Sequence, residues 1–408
     1  MTDLLFADAD VSAAAVAPAP PGEAGTVPTM TSPTLLAVDG NSLCHRAFHA
    51  YERSGLTRSD GAACFATYGF LTLFTGICDK VRPDGIVVGF DDATHSQRKQ
   101  RWPHYKANRS PKDPSLYVQM GEVMEILGQL GVTVVVPDGL EADDVLGSAA
   151  EAARTAGWRC VIATSDRDSF ALVDDNTTVL RLVSGLDNAV WMTPAQLLAD
   201  YGVTGGQYRD YAAMRGDSSD NLTGVAGIGE KTAAKLLAAF GSVEAALADL
   251  DGVAAKVGKA ASTRLAAGVD AWQLNRQVME IRTDVSLDVE ASRLATPEGT
   301  TAKVLRHWEL PSLVSRLAVA LAPAGAAPAL DDATLAAMEQ LAATPDGTGA
   351  AGLGGRSAPD PQFEPAPQSP ATDRRPVPQP VAPGPEGPAP AHKPWEVPRP
   401  ARLPLTLH

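Results

Sequence analysis

Carboxylates that recur at the ends of apolar runs are the residues of this sequence most able to do chemistry. The densest group is the run 141–144, where Glu141, Asp143 and Asp144 lie within four residues. The apolar run 132–136 precedes it and a helix-forming run follows, so the acids fall where a strand passes into a helix. Ligands bind at this edge of an open α/β sheet. Acids also suit the first turn of a helix, and one such group alone would be interpreted as a cap.

The same arrangement follows three further apolar runs. Residues 35–38, 85–90 and 159–164 each predict a buried strand, and each is followed within two residues by an aspartate. One such aspartate would be an ordinary helix cap, but four acidic strand ends are difficult to assign to capping alone. The run 212–221 adds two more carboxylates. The candidate metal-binding residues are therefore Asp39, Asp91, Glu141, Asp143, Asp144, Asp166, Asp168, Asp217 and Asp220.

These carboxylates predict a site for divalent cations. Packed at one sheet edge without counter-ions, they could not all remain ionised. Mg²⁺ prefers oxygen ligands and combines a few carboxylates with water and substrate phosphate. Because the set exceeds the needs of one ion, we expect two ions that serve an in-line displacement at phosphorus. A structural Ca²⁺ site is the alternative, although these ligands come from distant segments rather than from one loop.

A basic segment connects the second and third acidic strand ends. Residues 93–112 contain no acid, and Trp102, His104 and Tyr105 lie among their cations. A solvated charged loop is the simplest interpretation of such a run. Beside an acidic pocket, however, the cations favour contact with a phosphate backbone, and an aromatic ring favours stacking on an unpaired base. The cations are Arg98, Lys99, Arg101, Lys106, Arg109 and Lys112.

A glycine-rich turn leads into a predicted helix in the second half of the chain. Gly227 and Gly229 precede a run that carries Lys231, Thr232 and Lys235. This pattern has the form of a helix-hairpin-helix, in which backbone N–H groups near a helix start hold a phosphate. A turn between packed helices is the alternative, but two lysines one turn apart favour phosphate binding. A metal site, a basic segment and a phosphate-binding hairpin together indicate a nuclease.

The predicted strands and helices that carry these residues indicate an α/β fold. Four apolar strands separated by helices imply right-handed crossovers and a parallel sheet flanked by helices. The chain has 408 residues and a net charge of −14, which argues mildly against a nucleic-acid partner unless the acids lie in tails and in one metal site. No signal peptide or membrane span is evident, so we expect a cytoplasmic, nucleoid-associated protein. The expected parts are a disordered tail (1–32), a nuclease domain (33–210), a helical domain (211–323) and a Pro/Ala-rich disordered tail (324–408).

Six motifs, taken together and in this order, resemble the bacterial 5′-nuclease family, which includes the 5′→3′ exonuclease domain of DNA polymerase I and the flap endonucleases. The resemblance runs from about Thr34 to the helices past Arg282. It implies a PIN-like domain with a helical arch at about 92–118, followed by a helix–three-turn–helix. It also implies hydrolysis that depends on Mg²⁺ or Mn²⁺, at 5′ flaps, nicks and free 5′ ends of DNA and on RNA primers, by a monomer with a K⁺ ion at the hairpin. The motifs are Val38-Asp-Gly-Asn41, Phe90-Asp91, Tyr105-Lys-Ala-Asn-Arg109, Glu141-Ala-Asp-Asp144, Thr164-Ser-Asp-Arg-Asp168 and the run 216–234.

The resemblance also implies roles for single residues. Lys106 and Arg98 are similar to the basic residues that contact the scissile phosphate, Tyr105 to a ring that stacks on a base, and Arg46 and Arg109 to DNA contacts. The implied first metal group is Asp39, Asp91, Glu141 and Asp143. The implied second group is Asp143, Asp166, Asp168 and Asp220, with Asp144 and Asp217 nearby.

The sequence departs from the family's pattern in two ways, and two alternative functions can be compared with it. No polymerase domain follows, which predicts a stand-alone member, and Thr223 stands where the family usually has proline. A non-catalytic DNA-binding module of the same fold would lack at least one carboxylate, and none is missing. A phosphatase with an aspartyl nucleophile would need Asp-x-Asp after the first strand, but Asn41 occupies the position of the second acid.

Overall fold

The computed structural model of the chain describes residues 32–297 and 299–323. Residues 1–31 of the predicted N-terminal tail and the whole of the predicted tail 324–408 lie outside the described residues. Among the helices within the described ranges, none is both long enough and apolar enough to cross a membrane.

Six strands form one mixed sheet whose order is β3-β2-β1-β4-β5-β6, and a two-stranded ribbon pairs β7 with β8. The first five strands of the sheet are parallel, and β6 is antiparallel to β5. The strands are β1 Thr34–Asp39, β2 Gly85–Gly89, β3 Thr133–Val135, β4 Arg159–Thr164, β5 Thr177–Arg181, β6 Val190–Met192, β7 Gly216–Asp217 and β8 Leu222–Thr223.

Helices cover both faces of this sheet, and the central strand β1 contributes to both cores. Leu36 belongs to the apolar cluster that contains Phe70, whereas Leu35 belongs to the cluster that contains Val145. Successive side chains of a strand point to opposite faces, so a strand that is buried on both faces must be apolar throughout. This requirement explains why β1, β2 and β4 appear in the sequence as continuous apolar runs.

Fourteen α-helices lie within the described residues. They are α1 Gly40–Tyr51, α2 Phe65–Val81, α3 Gln97–Arg101, α4 Pro114–Gln129, α5 Ala142–Thr155, α6 Pro194–Tyr201, α7 Gly205–Arg215, α8 Glu230–Phe240, α9 Val243–Ala248, α10 Leu250–Lys256, α11 Lys259–Ala267, α12 Val269–Val278, α13 Thr300–His307 and α14 Val314–Ala320. Phe70 lies on α2 and Val145 on α5, so these two helices form the opposite layers over β1.

The four predicted strands and their parallel arrangement are confirmed, and two strands were not predicted. β5 contains only two apolar residues in five, and β6 is only three residues long. Neither strand therefore shows the pattern of apolar residues from which a strand can be predicted. The segment 92–118, expected to be a helical arch, contains the five-residue helix α3 and then turns up to the start of α4. Pro103 and Pro111 interrupt any longer helix there, since proline cannot donate a helical hydrogen bond.

Candidate metal centre and nucleic-acid interface

The carboxyl ends of β1 and β2 position the first two predicted carboxylates. Asp39 ends β1 and caps α1, because the N–H of Ser42 donates to its Oδ1 at 2.8 Å. The hydroxyl of Thr164 donates to its other oxygen at 2.7 Å. Asp91 follows β2 and accepts the backbone N–H of Ala142 at 2.8 Å. Parallel pairing thus places the end of β1 next to the ends of β2 and β4.

The start of α5 contributes two more carboxylates to the same edge. Glu141 precedes the helix and is 6% exposed. Asp143 lies in the first turn, and its side chain accepts no hydrogen bond from a described residue. Its carboxylate is therefore not engaged by protein donors.

The remaining acids come from two loops. Asp166 and Asp168 follow β4, and the N–H of Asp168 donates to Asp166 at 2.9 Å. Asp217 ends β7, where it accepts the N–H and the hydroxyl of Ser219. Asp220 follows in the turn between β7 and β8 and is 8% exposed. The β7–β8 ribbon therefore supplies Asp217 and Asp220 from outside the large sheet.

Eight of the nine predicted carboxylates line two adjoining cavities. The larger cavity has a volume of ≈ 1140 Å³. The smaller one is shared between the start of α5, the loop after β4 and the β7–β8 turn. The larger is lined by Asp39, Asp91, Glu141, Asp143, Asp166 and Asp217, and the smaller by Glu141, Asp143, Asp168 and Asp220.

Burial and mutual repulsion disfavour full ionisation of this centre. Burial raises the pKa of Asp39 to about 7, with added repulsion from Asp91 and Asp166. Burial, and then the charge of Asp166, raises the pKa of Asp143 well above its usual range. Burial and the same neighbour raise the pKa of Asp168 to about 8. Repelling carboxylates of this kind are stabilised by cations, and oxygen-only donors suit hard divalent ions.

Glu141 differs from its neighbours because the basic segment holds it ionised. The ammonium of Lys106 and the hydroxyl of Tyr105 each donate to its Oε2 at 3.0 Å. Burial alone would raise the pKa of Glu141, but the charges of Lys106 and Arg98 lower it below the usual value. Lys106 has a left-handed backbone, with φ at 55°, and its N–H donates to the carbonyl of Asp220. The predicted catalytic lysine thus lies between two carboxylate-bearing segments.

The position of Tyr105 corrects one expectation. The sequence predicted a ring that stacks on a base, but Tyr105 is 6% exposed and packs in the core beside α5. The Lys106 ammonium lies 4.7 Å from the centre of its ring. In this structure the ring is placed to orient Glu141 and Lys106 and does not offer a face to a base.

Asp144 lies outside both cavities and is 0% exposed. The guanidinium of Arg98 donates to both of its oxygens. The N–H of Glu141 donates to Oδ2 at 3.1 Å, and the N–H of Arg282 donates to Oδ1 at 2.9 Å. Both oxygens are therefore occupied by protein donors. In this environment the Asp144 carboxylate holds neighbouring segments in position. The sequence had instead predicted Asp144 as a metal ligand and Arg98 as a phosphate contact.

Two further predicted DNA contacts lie at the rim of the centre. Arg109 is exposed, and its Nη2 donates to Asp220 Oδ1 at 2.5 Å. Arg46, on α1, donates to the backbone carbonyls of Leu182 and Val183 at 2.8 and 3.2 Å. Arg109 therefore contacts a carboxylate and is also accessible to solvent. Arg46 lies against the segment that follows β5.

The glycine-rich turn precedes α8, as the sequence predicted. Gly227 has a φ of +77°, which favours glycine, and Gly229 is the N-cap of α8. The predicted cations of α8, Lys231 and Lys235, are exposed, and Thr232 is half-buried. Arg264 was not among the predicted residues, and its Nη1 donates to the Gly227 carbonyl at 3.1 Å. No local motif marks Arg264, because it lies 37 residues away on α11.

A second group of possible ligands, also missed from the sequence, lies at the base of the basic segment. His95 Nδ1 lies 3.0 Å from Asp92 Oδ2, and His95 Nε2 lies 3.8 Å from Asp138 Oδ1. Asp92 also accepts the N–H of Gly139 at 2.8 Å. The two ring nitrogens face different carboxylates, one at the start of the basic segment and one in the loop before α5.

Comparison with known proteins gives two matching family models. The model described as 5′-3′ exonuclease, N-terminal resolvase-like domain, matches residues 34–202. The model described as 5′-3′ exonuclease, C-terminal SAM fold, matches residues 203–302. The two matches adjoin and include every predicted site residue.

Curated relatives match more than three-fifths of the chain. DNA polymerase I of Mycobacterium bovis is 40% identical over 255 residues, which are 62% of this chain and 28% of the relative. The thermostable DNA polymerase I of Thermus aquaticus is 36% identical over 291 residues, which are 71% of this chain and 33% of the relative. The chain thus spans about a third of the length of these relatives. Among solved structures, zinc-bound T5 5′-exonuclease is 17% identical, with a TM-score of 0.49 and coverage of 76% of this chain and 98% of that one.

Proposed function

Because this chain belongs to the 5′-3′ exonuclease family, we propose that it hydrolyses phosphodiester bonds near the 5′ ends of DNA, at flaps, nicks and free ends. The observation that carries the proposal is the cavity of ≈ 1140 Å³ in which carboxylates from distant segments meet the cations of the basic segment. The two kinds of charged side chain in this cavity suit different parts of the reaction. The carboxylates suit divalent cations, and the cations suit a phosphate backbone.

The residues present fit two divalent ions, Mg²⁺ or Mn²⁺. Asp143 lies between the two acidic groups, lines both cavities and has no protein donor among the described residues. We assign Asp39, Asp91 and Glu141 to one side of it and Asp166, Asp168 and Asp220 to the other, with Asp217 nearby. Such ions, when bound, supply positive charge at the attacked phosphate and lower the pKa of water. Asp144 positions the segment from which these ligands project.

The chain's own cations act on the same phosphate. Lys106 donates to Glu141 at 3.0 Å and lines the larger cavity. Burial would lower its pKa, but Glu141 and Asp220 raise it above the ordinary value, so the ammonium remains charged. A fixed positive charge in a partly enclosed site stabilises the charge that develops on phosphate oxygens in the transition state. Arg109 is exposed and is placed to meet the backbone of the incoming strand.

The turn before α8 would hold the duplex part of the substrate. Backbone N–H groups at the start of α8 and the exposed Lys231 and Lys235 suit two adjacent phosphates. We extend the proposal to RNA primers paired with DNA, to a K⁺ ion at this turn and to a monomeric, nucleoid-associated protein. These extensions rest on the family resemblance of the motifs.

Metal-dependent cleavage of a labelled 5′ flap tests the proposed function. The full chain should release the flap in Mg²⁺ or Mn²⁺, and EDTA or Asp143→Asn should abolish release. Cleavage of p-nitrophenyl phosphate without flap cleavage would favour a phosphatase. Binding to the flap in Ca²⁺ without cleavage in either Mg²⁺ or Mn²⁺ would instead identify a non-catalytic DNA-binding module.

A further inference from the structure

Two arginines in the larger cavity have no acidic partner among the described residues. Arg167 and Arg181 both line this cavity, and neither guanidinium forms a hydrogen bond or an ion pair with a described residue. The other cations of the cavity wall are paired. Lys106 contacts Glu141, Arg109 contacts Asp220, and Arg215 lies 3.7 Å from Glu230.

The fold places Arg181 at the sheet edge that carries the carboxylates. Arg181 is the last residue of β5, and its register partner on β4 is Thr164, the residue that donates to Asp39. Its guanidinium carbon lies 6.0 Å from the centre of the Phe170 ring. Its Nε is buried and has no hydrogen-bond partner in the part of the chain that the structure describes. A buried donor without a partner lowers stability, so an acceptor supplied by a ligand would be favourable.

Positive charge accumulates around Arg181. Arg46 donates to the carbonyls of Leu182 and Val183, which directly follow Arg181 in the chain. Burial and then the charge of Arg181 lower the pKa of Arg46, and burial and then the charge of Arg167 lower the pKa of Arg181. The guanidiniums therefore repel one another, and the charge of Asp166 does not offset this repulsion for Arg181.

We infer that Arg181 and Arg167 form a phosphate subsite that binds the substrate strand beside the reacting bond. The inference rests on the proposed function and names a contact of the same cleft. A guanidinium binds phosphate through paired N–H donors, and two guanidiniums that repel each other gain most from an anion between them. The bound group is either the terminal 5′-phosphate of the strand or an internal phosphodiester, since both offer the same oxygen acceptors.

The test compares Arg181→Ala with the wild-type full chain on two otherwise identical 5′-recessed duplexes, one with a 5′-phosphate and one with a 5′-hydroxyl. Affinity is measured by anisotropy in Ca²⁺, and single-turnover cleavage is measured in Mg²⁺. We expect Arg181→Ala to weaken binding on the order of tenfold and to lower the slope of log affinity against log salt by about one unit. A loss confined to the phosphorylated duplex identifies the terminal phosphate, and an equal loss on both identifies a phosphodiester.

Two further variants keep the result interpretable. Arg316→Ala changes an exposed arginine on α14, outside the cavity, and should bind both duplexes like the wild type. Arg181→Lys keeps the charge and should recover part of the affinity. Unchanged affinity of Arg181→Ala for both duplexes, or an equal loss in Arg316→Ala, would overturn the inference. Because affinity is measured in Ca²⁺, the subsite is tested even if the wild-type chain cleaves nothing, and that failure would count against the proposed function alone.

Discussion

The guanidinium of Arg98 donates to both carboxylate oxygens of Asp144, at 3.0 Å from Nη1 to Oδ2 and at 2.6 Å from Nη2 to Oδ1. Arg98 belongs to the basic segment, and Asp144 belongs to the first turn of α5. Asp144 also accepts the N–H of Arg282 from the segment that follows α12. One buried ion pair therefore fixes the basic segment to the helix that carries Asp143, and links both to a distant part of the chain.

We predict that Arg98→Ala destabilises the protein by about 3 kcal/mol or more, because removing one partner leaves the other charge buried and unpaired. Asp144→Asn should be destabilising for the same reason. Urea unfolding of the metal-free proteins measures both effects. The control is Arg82→Ala, which removes an exposed arginine 3.7 Å from Asp79 and should change stability by less than about 1 kcal/mol. A stable Arg98→Ala protein that has lost only catalysis would assign Arg98 to the phosphate instead.

Asp143→Asn should abolish flap cleavage while the fold is retained. Asp143 lines both cavities and its side chain accepts no hydrogen bond from a described residue, so the substitution takes away a ligand without breaking a hydrogen bond of that side chain. Calorimetric titration of the variant with Mn²⁺ should show weaker binding or fewer bound ions. Asp187→Asn, at an exposed position outside the cavities, is the matched control. Full Mg²⁺-dependent cleavage by Asp143→Asn would contradict the two-ion assignment.

The stability of Asp143→Asn relative to the wild type should depend on pH. Burial and the charge of Asp166 raise the folded-state pKa of Asp143 above the ordinary value of 3.8. Below pH 3.8 the carboxyl is protonated in both the folded and the unfolded chain, so it imposes no charge penalty on folding. As pH rises from 3.8 through the raised pKa, the wild type loses stability that the variant keeps. Melting temperatures in EDTA should therefore diverge in favour of the variant as pH rises above 3.8, and a difference that is constant with pH would contradict this assignment.

Lys106→Ala should separate chemistry from binding. If its charge acts in the transition state, the single-turnover rate at saturating enzyme should fall on the order of 10²-fold or more. Affinity for the same flap in Ca²⁺ should change much less. Lys80→Ala, on the exposed end of α2, provides the control for a lost surface charge. Weaker binding with a normal saturated rate would make Lys106 an ordinary phosphate contact.

The turn before α8 offers a matched pair of glycine substitutions. A Cβ at Gly227 would lie 2.7 Å from Arg264 Nε, on a backbone with φ at +77°, whereas a Cβ at Gly229 meets nothing within 4 Å. Gly227→Ala should therefore weaken duplex binding, and Gly229→Ala should leave it nearly unchanged. Lys231→Ala should lower the slope of log affinity against log salt by about one unit. Equal affinities in all three variants would identify the turn as structural only.

The sheet and most of the acidic centre could be predicted because both depend on patterns of local sequence. Parallel strands buried on both faces are apolar throughout, and parallel pairing brings their acidic ends to one edge. The positions of Tyr105 and Asp144 could not be predicted, because a motif gives the residue type and not the direction of the side chain. The pairing of Arg98 with Asp144 and of Arg264 with the Gly227 carbonyl depends on tertiary packing between segments that are far apart in the chain.

The carboxylates of the centre are spread from Asp39 to Asp220, and the last of them lies on the β7–β8 turn rather than on the large sheet. A chain made from its N-terminus therefore completes the first five strands before the final acids leave the ribosome. Until then, the carboxylates of the sheet edge lack Asp217 and Asp220, and Lys106 lacks the carbonyl that holds its backbone. The order of synthesis thus completes the acidic centre only after the β7–β8 ribbon has been made.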